Sequence, residues 1–106
     1  MKKEIKINGV TYTLRNSLRN YFIFEEIVKR TFNVNKTFDW IALFYSTLLA
    51  NNESFNMEFD GFVSLCDEHP ELFAEFQQFI IDVSKIDAQR TANNDVKKKM
   101  NPKRKK

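Results

Sequence analysis

The chain has 106 residues, of which 42% are hydrophobic and 14% aromatic, and its formal net charge is +3. This length allows one domain with a small core, and the single Cys66 excludes an internal disulfide, as is typical of a reducing compartment. No apolar run approaches the roughly 20 residues that span a bilayer, and no apolar signal core follows Met1. We therefore expect a cytoplasmic protein without a membrane segment.

The charges fall into three blocks along the chain. Residues 1–36 carry a net charge of +5, residues 37–84 contain nine carboxylates but no Lys or Arg, and residues 85–106 carry a net charge of +7. Blocks of one sign produce long-range fields that guide association. This pattern favours a partner-binding protein over an enzyme.

Residues 4–14 predict a β-hairpin. Ile5 and Ile7 alternate with polar residues, and Asn8 and Gly9 supply the two positive-φ positions of a type I′ turn. The alternation then resumes, with apolar residues at Val10, Tyr12 and Leu14. Because an isolated hairpin is marginally stable in water, its apolar face must pack on helices.

Two helices follow the hairpin. Ser17 is a suitable N-cap for a helix over residues 18–31, and Thr37 is suitable for a second helix over residues 38–51. The second helix is apolar around most of its circumference, which is typical of a central core helix or of an interface. Both interpretations hold if one flank packs on the core and the other on a partner.

The second half of the chain predicts two more helices. The first covers residues 60–68 and ends at His69, because a residue before proline disfavours helical geometry. The second begins at Pro70 and runs to about Arg90, with an apolar stripe opposite an acidic face. The stripe consists of Leu72, Phe76, Phe79, Ile80 and Val83. The predicted fold class is therefore α+β, mostly α: an N-terminal β-hairpin packed on about four helices.

From Thr91 onward apolar residues nearly vanish, so we expect residues 1–92 to form the domain and residues 93–106 a disordered basic tail. The cations of its basic runs are Lys97, Lys98, Lys99, Lys103, Arg104, Lys105 and Lys106. Such cations can bind nucleic-acid phosphates, but the tail has no aromatic residues to stack on bases, and residues 1–93 have a net charge of −3. A small nucleic-acid-binding regulator that uses this arm is therefore an alternative interpretation.

Patterns that would indicate catalysis or metal binding are weak. Cys66 and His69 are three residues apart, but Cys66 falls on the apolar stripe of its helix. The carboxylates at helical spacing, Asp67, Glu71 and Glu75, are typical of a solvated helix face. We therefore expect no catalytic residue, no cofactor and no metal.

The aromatic residues are the more informative feature. All eleven Phe lie between Phe22 and Phe79, which is more than four short helices easily bury. Either all of them belong to the core, or some line an exposed groove that receives an apolar helix. The residues that we expect to contact such a partner are Trp40, Phe44, Tyr45, Phe55 and Phe59.

The order of elements, together with three short stretches, resembles one known family. The stretches are YFIFEEI at residues 21–27, FDGF at residues 59–62 and DEHPEL at residues 67–72. Over residues 4–88 the chain resembles the tail assembly chaperones of long-tailed (siphovirus-type) phages and prophages.

This resemblance implies a non-catalytic protein of the host cytoplasm that binds and solubilises the tape-measure protein, an apolar helical partner, and that is absent from the mature virion. It also implies self-association, since many copies would lie along one filament. The lysine run at residues 97–99 is compatible with a slippery codon run that would yield a longer frameshift product. A structural tail or head-completion subunit is a further alternative, and it would be retained in finished particles.

Overall fold

The structure is a computed structural model in which the backbone of residues 2–99 and the side chains of residues 2–84 are described. Two strands come first, β1 at Lys2–Ile7 and β2 at Val10–Arg15. The helices that follow are α1 at Leu18–Val28, α2 at Thr37–Asn51, α3 at Phe59–Glu68 and α4 at Pro70–Lys99. The predicted architecture, an N-terminal hairpin with four helices, is confirmed.

The hairpin turns at the predicted dipeptide. Asn8 has φ 53° and Gly9 has φ 82°, the left-handed values that a type I′ turn requires. The strands pair antiparallel, and Glu4 lies opposite Thr13 in their register. The buried face of the hairpin consists of Ile5, Ile7 and Leu14.

Helix α1 begins as predicted and ends three residues early. The Ser17 hydroxyl accepts a hydrogen bond from the Arg19 N–H at 3.1 Å, which confirms the N-cap. Lys29 takes a left-handed conformation with φ 68°, and its N–H donates to the Glu25 carbonyl. The left-handed residue ends the helix, and Arg30, which follows it, pairs with Asp39.

Helix α2 is the central helix, and it packs on α1, β2, α3 and α4. The predicted cap at Thr37 is wrong by one residue, since Lys36 occupies the N-cap and makes no capping hydrogen bond with its side chain. Asp39 lies in the first turn of the helix and is fully buried.

Helices α3 and α4 meet at the predicted proline step. His69 ends α3 with its N–H bonded to the Leu65 carbonyl at 2.8 Å, and α4 starts at Pro70. On the predicted stripe of α4, Ile80 is half-buried and the other four residues are buried. The helix extends past the predicted end at Arg90 to Lys99. Of the tail that was predicted to be disordered, residues 93–99 therefore lie in this helix, and residues 100–106 lie outside the described residues.

The core is an aromatic stack between α2, α3 and α4. The rings of Phe44 and Phe76 lie parallel with centroids 4.6 Å apart, and Phe62 meets Phe44 edge-on at 4.9 Å. All three side chains are fully buried. Such aromatic contacts add to the free energy gained from burying the ring area itself.

Side-chain hydrogen bonds of three asparagines connect β2 to the helices. The Asn52 side chain accepts from the Thr13 N–H at 2.8 Å and donates to the Thr13 carbonyl at 2.9 Å. Asn20, which is buried, donates to the Arg15 carbonyl at 2.7 Å and accepts from Asn51 at 3.1 Å. These amides occupy the outer edge of β2 in place of a third strand.

Candidate partner-binding groove

The five residues predicted to contact a partner separate into two groups. Phe44 and Phe55 are buried, with 0% and 5% of their surface exposed, so they belong to the core. That part of the prediction is corrected, because a ring enclosed on all sides offers no contact surface. Trp40, Tyr45 and Phe59 are half-buried, and each combines core packing with an accessible edge.

Trp40 lines an open apolar groove of about 480 Å³, which we name the Trp40 groove. The loop between α1 and α2 forms one side of the groove, and α4 forms the other. Val34 on the loop is 60% exposed, and Ile81 on α4 is 45% exposed. The lining residues are Tyr21, Phe32, Val34, Trp40, Ile80, Ile81 and Ser84.

The floor of the groove continues into the core. The Phe32 ring makes edge-on contacts with Tyr21, Phe24 and Trp40, at centroid distances of 6.1, 5.6 and 5.5 Å. Trp40 in turn lies edge-on to Phe76, at 6.5 Å. Because each floor ring is held by a neighbour in the core, the groove is formed before any partner arrives.

The loop wall is held by one buried carboxylate. Asp39 accepts two hydrogen bonds from the Arg30 guanidinium, both at 2.6 Å, and a third from the Asn33 N–H at 2.8 Å. The Trp40 indole N–H donates to the Val34 carbonyl at 2.9 Å. The loop that carries Val34 is thereby fixed against α2.

The pKa shifts of the Arg30–Asp39 pair follow from its geometry. The hydrogen bonds from Arg30 lower the pKa of Asp39 and outweigh the effect of burial, and the Asn33 N–H lowers it further. The pKa of Arg30 is raised by the same pairing. Both groups are therefore charged at neutral pH, and a bidentate contact of this kind is directional as well as strong.

The groove itself carries no charge. Its lining contains no Asp, Glu, Lys or Arg within the described part of the chain. On α4 the carboxylates of Glu75 and Asp82 lie on another flank, where they face β1. An uncharged apolar groove fits an apolar segment, since burying a charged one would cost desolvation.

A second accessible strip follows the opposite side of α2. Its members recur at helical spacing, so they share one face. They are Phe38, Ile41, Tyr45 and Leu49. Phe38 is 51% exposed and lies edge-on to Phe59 at 5.8 Å. The Tyr45 hydroxyl donates to the Met57 carbonyl at 2.7 Å, and burial raises the pKa of Tyr45.

The residues considered for catalysis are not brought together. Cys66 is buried, and desolvation, assisted by the nearby Asp67 charge, raises its pKa to about 11. The thiol is therefore protonated at neutral pH and a poor nucleophile. His69 contacts Glu71 at 3.2 Å instead. Among the described side chains, no group of three His, Cys, Asp or Glu could hold a metal ion.

Most of the groove was missed by sequence reasoning. Val34 falls in the break between the first two predicted helices, and Phe32 is one of the eleven Phe that the sequence does not divide between core and groove, although two apolar residues in a polar loop are a usable signal. Ile81 was not singled out because it falls outside the core stripe of α4. Of the lining residues, Trp40 alone had been assigned to partner contact.

Comparison of the chain with protein-family models, with curated proteins and with solved structures gives no match. Within the described residues, no helix combines the length and the apolar character needed to cross a bilayer.

Proposed function

We propose that this protein is a phage or prophage tail assembly chaperone that binds the tape-measure protein through the Trp40 groove. The observation that carries the proposal is the groove itself: a preformed, uncharged aromatic surface bordered by exposed Val34 and Ile81. An amphipathic or apolar helix can lay its side chains into such a groove. The partner is named from the resemblance of residues 4–88 to that family.

The chemistry of the groove suits reversible binding to the apolar surface of a long helical protein. Apolar contacts are non-directional, so one groove can accept many similar segments of a long helical protein. The groove is small compared with a permanent interface, which keeps each contact weak and releasable. Residues 37–84 contain nine carboxylates, of which Asp39 is buried, and no Lys or Arg, so the like charge of the others also helps to keep a coated complex soluble.

The test is co-expression with the tape-measure protein, followed by measurement of the soluble tape-measure fraction and of co-purification. In the double variant Val34→Lys, Ile81→Lys, two exposed apolar side chains of the groove become charged. We expect this variant to fold but to lose both solubilisation and co-purification, because a bound helix would have to bury the new charges.

The matched control is Leu18→Lys, which charges an apolar side chain that is 73% exposed on α1 outside the groove. This variant should retain the partner. If the control loses the partner as well, or if the groove variant keeps it, the assignment of the groove is wrong.

The two alternatives give different outcomes in the same phage system. A structural subunit would be found by mass spectrometry in finished particles, whereas the chaperone would be absent from them. A nucleic-acid-binding regulator would lose its function on deletion of residues 95–106, whereas the chaperone would keep the tape-measure protein.

A further inference from the structure

Helix α1 has one face toward the core and one face toward solvent. Its inner face carries the buried residues Asn20 and Phe24, and the helix packs chiefly on α2. The outer face carries Phe22, which is 63% exposed, and the half-buried Ile23. Within residues 2–84, Phe22 belongs neither to the core nor to the side chains packed against it. Accessible aromatic rings are enriched where proteins contact one another.

Four residues of the outer face form one stripe along the helix, which we name the α1 stripe. They occupy positions i, i+3, i+4 and i+7, so they lie on the same side of α1. All four are among the residues that line an open depression on this helix. The stripe has an apolar centre, with a cation at one end and an anion at the other. Its members are Arg19, Phe22, Ile23 and Glu26.

The charges of α1 are placed against the dipole of their own helix. The N-terminal end of a helix favours anions and the C-terminal end favours cations. In α1, Arg19 lies in the first turn and Glu25 and Glu26 lie in the last, with no acid in the first turn and no base in the last. None of these three charges forms an ion pair within residues 2–84. Their placement therefore does not stabilise the isolated helix, and a neighbour of reversed polarity would compensate it.

We propose that the α1 stripe binds the α1 stripe of a second copy of this chain, with the two helices antiparallel. Read in reverse, the stripe complements itself. Arg19 then faces the partner's Glu26, Glu26 faces the partner's Arg19, and the apolar centres of the two stripes meet between these charge pairs. A two-fold axis that passes between residues 22 and 23 generates this pairing, because each contact then occurs twice.

The charges and the dipoles both select the antiparallel orientation. In a parallel pair, Arg19 would face the partner's Arg19 and Glu26 the partner's Glu26, so like charges would meet. In the antiparallel pair, Arg19 lies beside the C-terminal end of the partner's helix, where a cation is favoured, and Glu26 lies beside the N-terminal end. A stripe of two helical turns is smaller than a standard interface, so the dimer should be weak and reversible.

The Trp40 groove stays open in this dimer. Tyr21 lines the groove and lies on the opposite side of α1 from Arg19, because two residues are about 200° apart around a helix. The dimer therefore presents two grooves, and its formation does not depend on what they bind.

Sedimentation velocity of the full chain over a range of concentrations tests the pairing. The parent chain should show a monomer–dimer equilibrium, and Phe22→Lys and Arg19→Glu should each raise the Kd about tenfold. Both variants should fold, since Phe22 is 63% exposed and Arg19 is exposed, and circular dichroism checks this. A parent chain that is still monomeric at about 1 mM would overturn the proposal.

The matched control is Ile81→Lys, which charges an apolar side chain of the Trp40 groove that is 45% exposed. This variant should dimerise like the parent chain. If Ile81→Lys loses association while Phe22→Lys keeps it, the copies associate through the Trp40 groove and the assignment to α1 is wrong.

Mixing two variants separates two-fold pairing from a general effect of charge. Arg19→Glu leaves two anions on the stripe and Glu26→Arg leaves two cations, so each variant alone should associate weakly. In an equal mixture the two should form a heterodimer, because every cation then faces an anion. Both variants remain net positive, so overall attraction between the chains does not explain a recovery. A mixture that sediments as monomers would overturn the proposal.

Binding of the tape-measure protein is measured separately by co-purification. Phe22→Lys should retain that partner, since the groove lies on the other side of α1. If Phe22→Lys loses the tape-measure protein and the parent chain alone is monomeric, the stripe binds that partner and the second-copy assignment is wrong. A monomeric parent chain with the tape-measure protein still bound by Phe22→Lys overturns only the dimer and leaves the function of the groove standing.

Discussion

The Phe44 core and the Trp40 groove are built from the same kinds of side chain but are closed differently. In the core, Phe44, Phe62 and Phe76 are enclosed by three helices. In the groove, the rings pack edge-on in a similar way, yet one wall is a loop that depends on Asp39. The core is maintained by packing alone, whereas the groove also needs a polar anchor. Substitutions can therefore affect the two regions separately.

The largest expected effect is on the core. Phe76→Ala should lower the free energy of unfolding by about 3 to 5 kcal/mol, because it leaves a cavity beside the Phe44 ring. Urea denaturation measures this change, with Ile81→Ala as a control at a 45% exposed position. Equal losses for the two variants would show that Phe76 is not a core residue.

The second-largest expected effect is on the Arg30–Asp39 ion pair, which holds the loop wall of the groove. Asp39→Asn should lower the free energy of unfolding by about 2 to 4 kcal/mol, since Arg30 and the Asn33 N–H lose a buried anionic acceptor. Asp60→Asn is the matched control, because Asp60 is also a first-turn aspartate but is exposed. A loss as small as that of the control would mean that the ion pair does not stabilise the fold.

The same pair predicts a dependence on pH. The folded-state pKa of Asp39 lies below its ordinary value, chiefly because of Arg30. Its stabilisation is therefore fully present above the unfolded pKa of about 3.9 and is lost as the pH falls through the folded value. The difference in stability between the parent chain and Asp39→Asn, followed by urea titration, should shrink in that acidic range. A difference that stays constant there would contradict the assignment.

A smaller effect is expected for Trp40→Phe. It keeps a ring in the groove floor but removes the hydrogen bond to the Val34 carbonyl, at a cost of about 0.5 to 1.5 kcal/mol. Tyr45→Phe removes one hydrogen bond from the other side of α2 and is the matched comparison. Only Trp40→Phe should increase exchange of loop amides at residues 33–36; an increase in both would place the effect in α2 as a whole.

The smallest effect is at the rim. Val34→Lys should change the free energy of unfolding by no more than about 0.5 kcal/mol, because its side chain is already 60% exposed. A larger loss would show that the loop closes over the groove in the free protein, which would remove the distinction from the core.

Local chemistry made much of the fold predictable. The Asn8–Gly9 turn, the Ser17 cap and the Pro70 start each depend on residues adjacent in sequence, and each was confirmed. The core stripe of α4 followed from periodicity, which burial enforces along a single helix. Two helix ends were less predictable: α1 ends at a left-handed Lys29, and α2 has Lys36 rather than Thr37 as its N-cap.

The sequence by itself determined the order of elements, the apolar stripes and the separation of charge into blocks, because these depend on spacing along the chain. The tertiary structure alone decided which aromatic rings remain accessible. Trp40 and Phe44 are one turn apart on the same helix, yet Phe44 is sealed beneath α3 and α4 while Trp40 borders a groove. That difference is set by Arg30, Asp39 and the loop between them, whose pairing brings together residues that no local pattern connects.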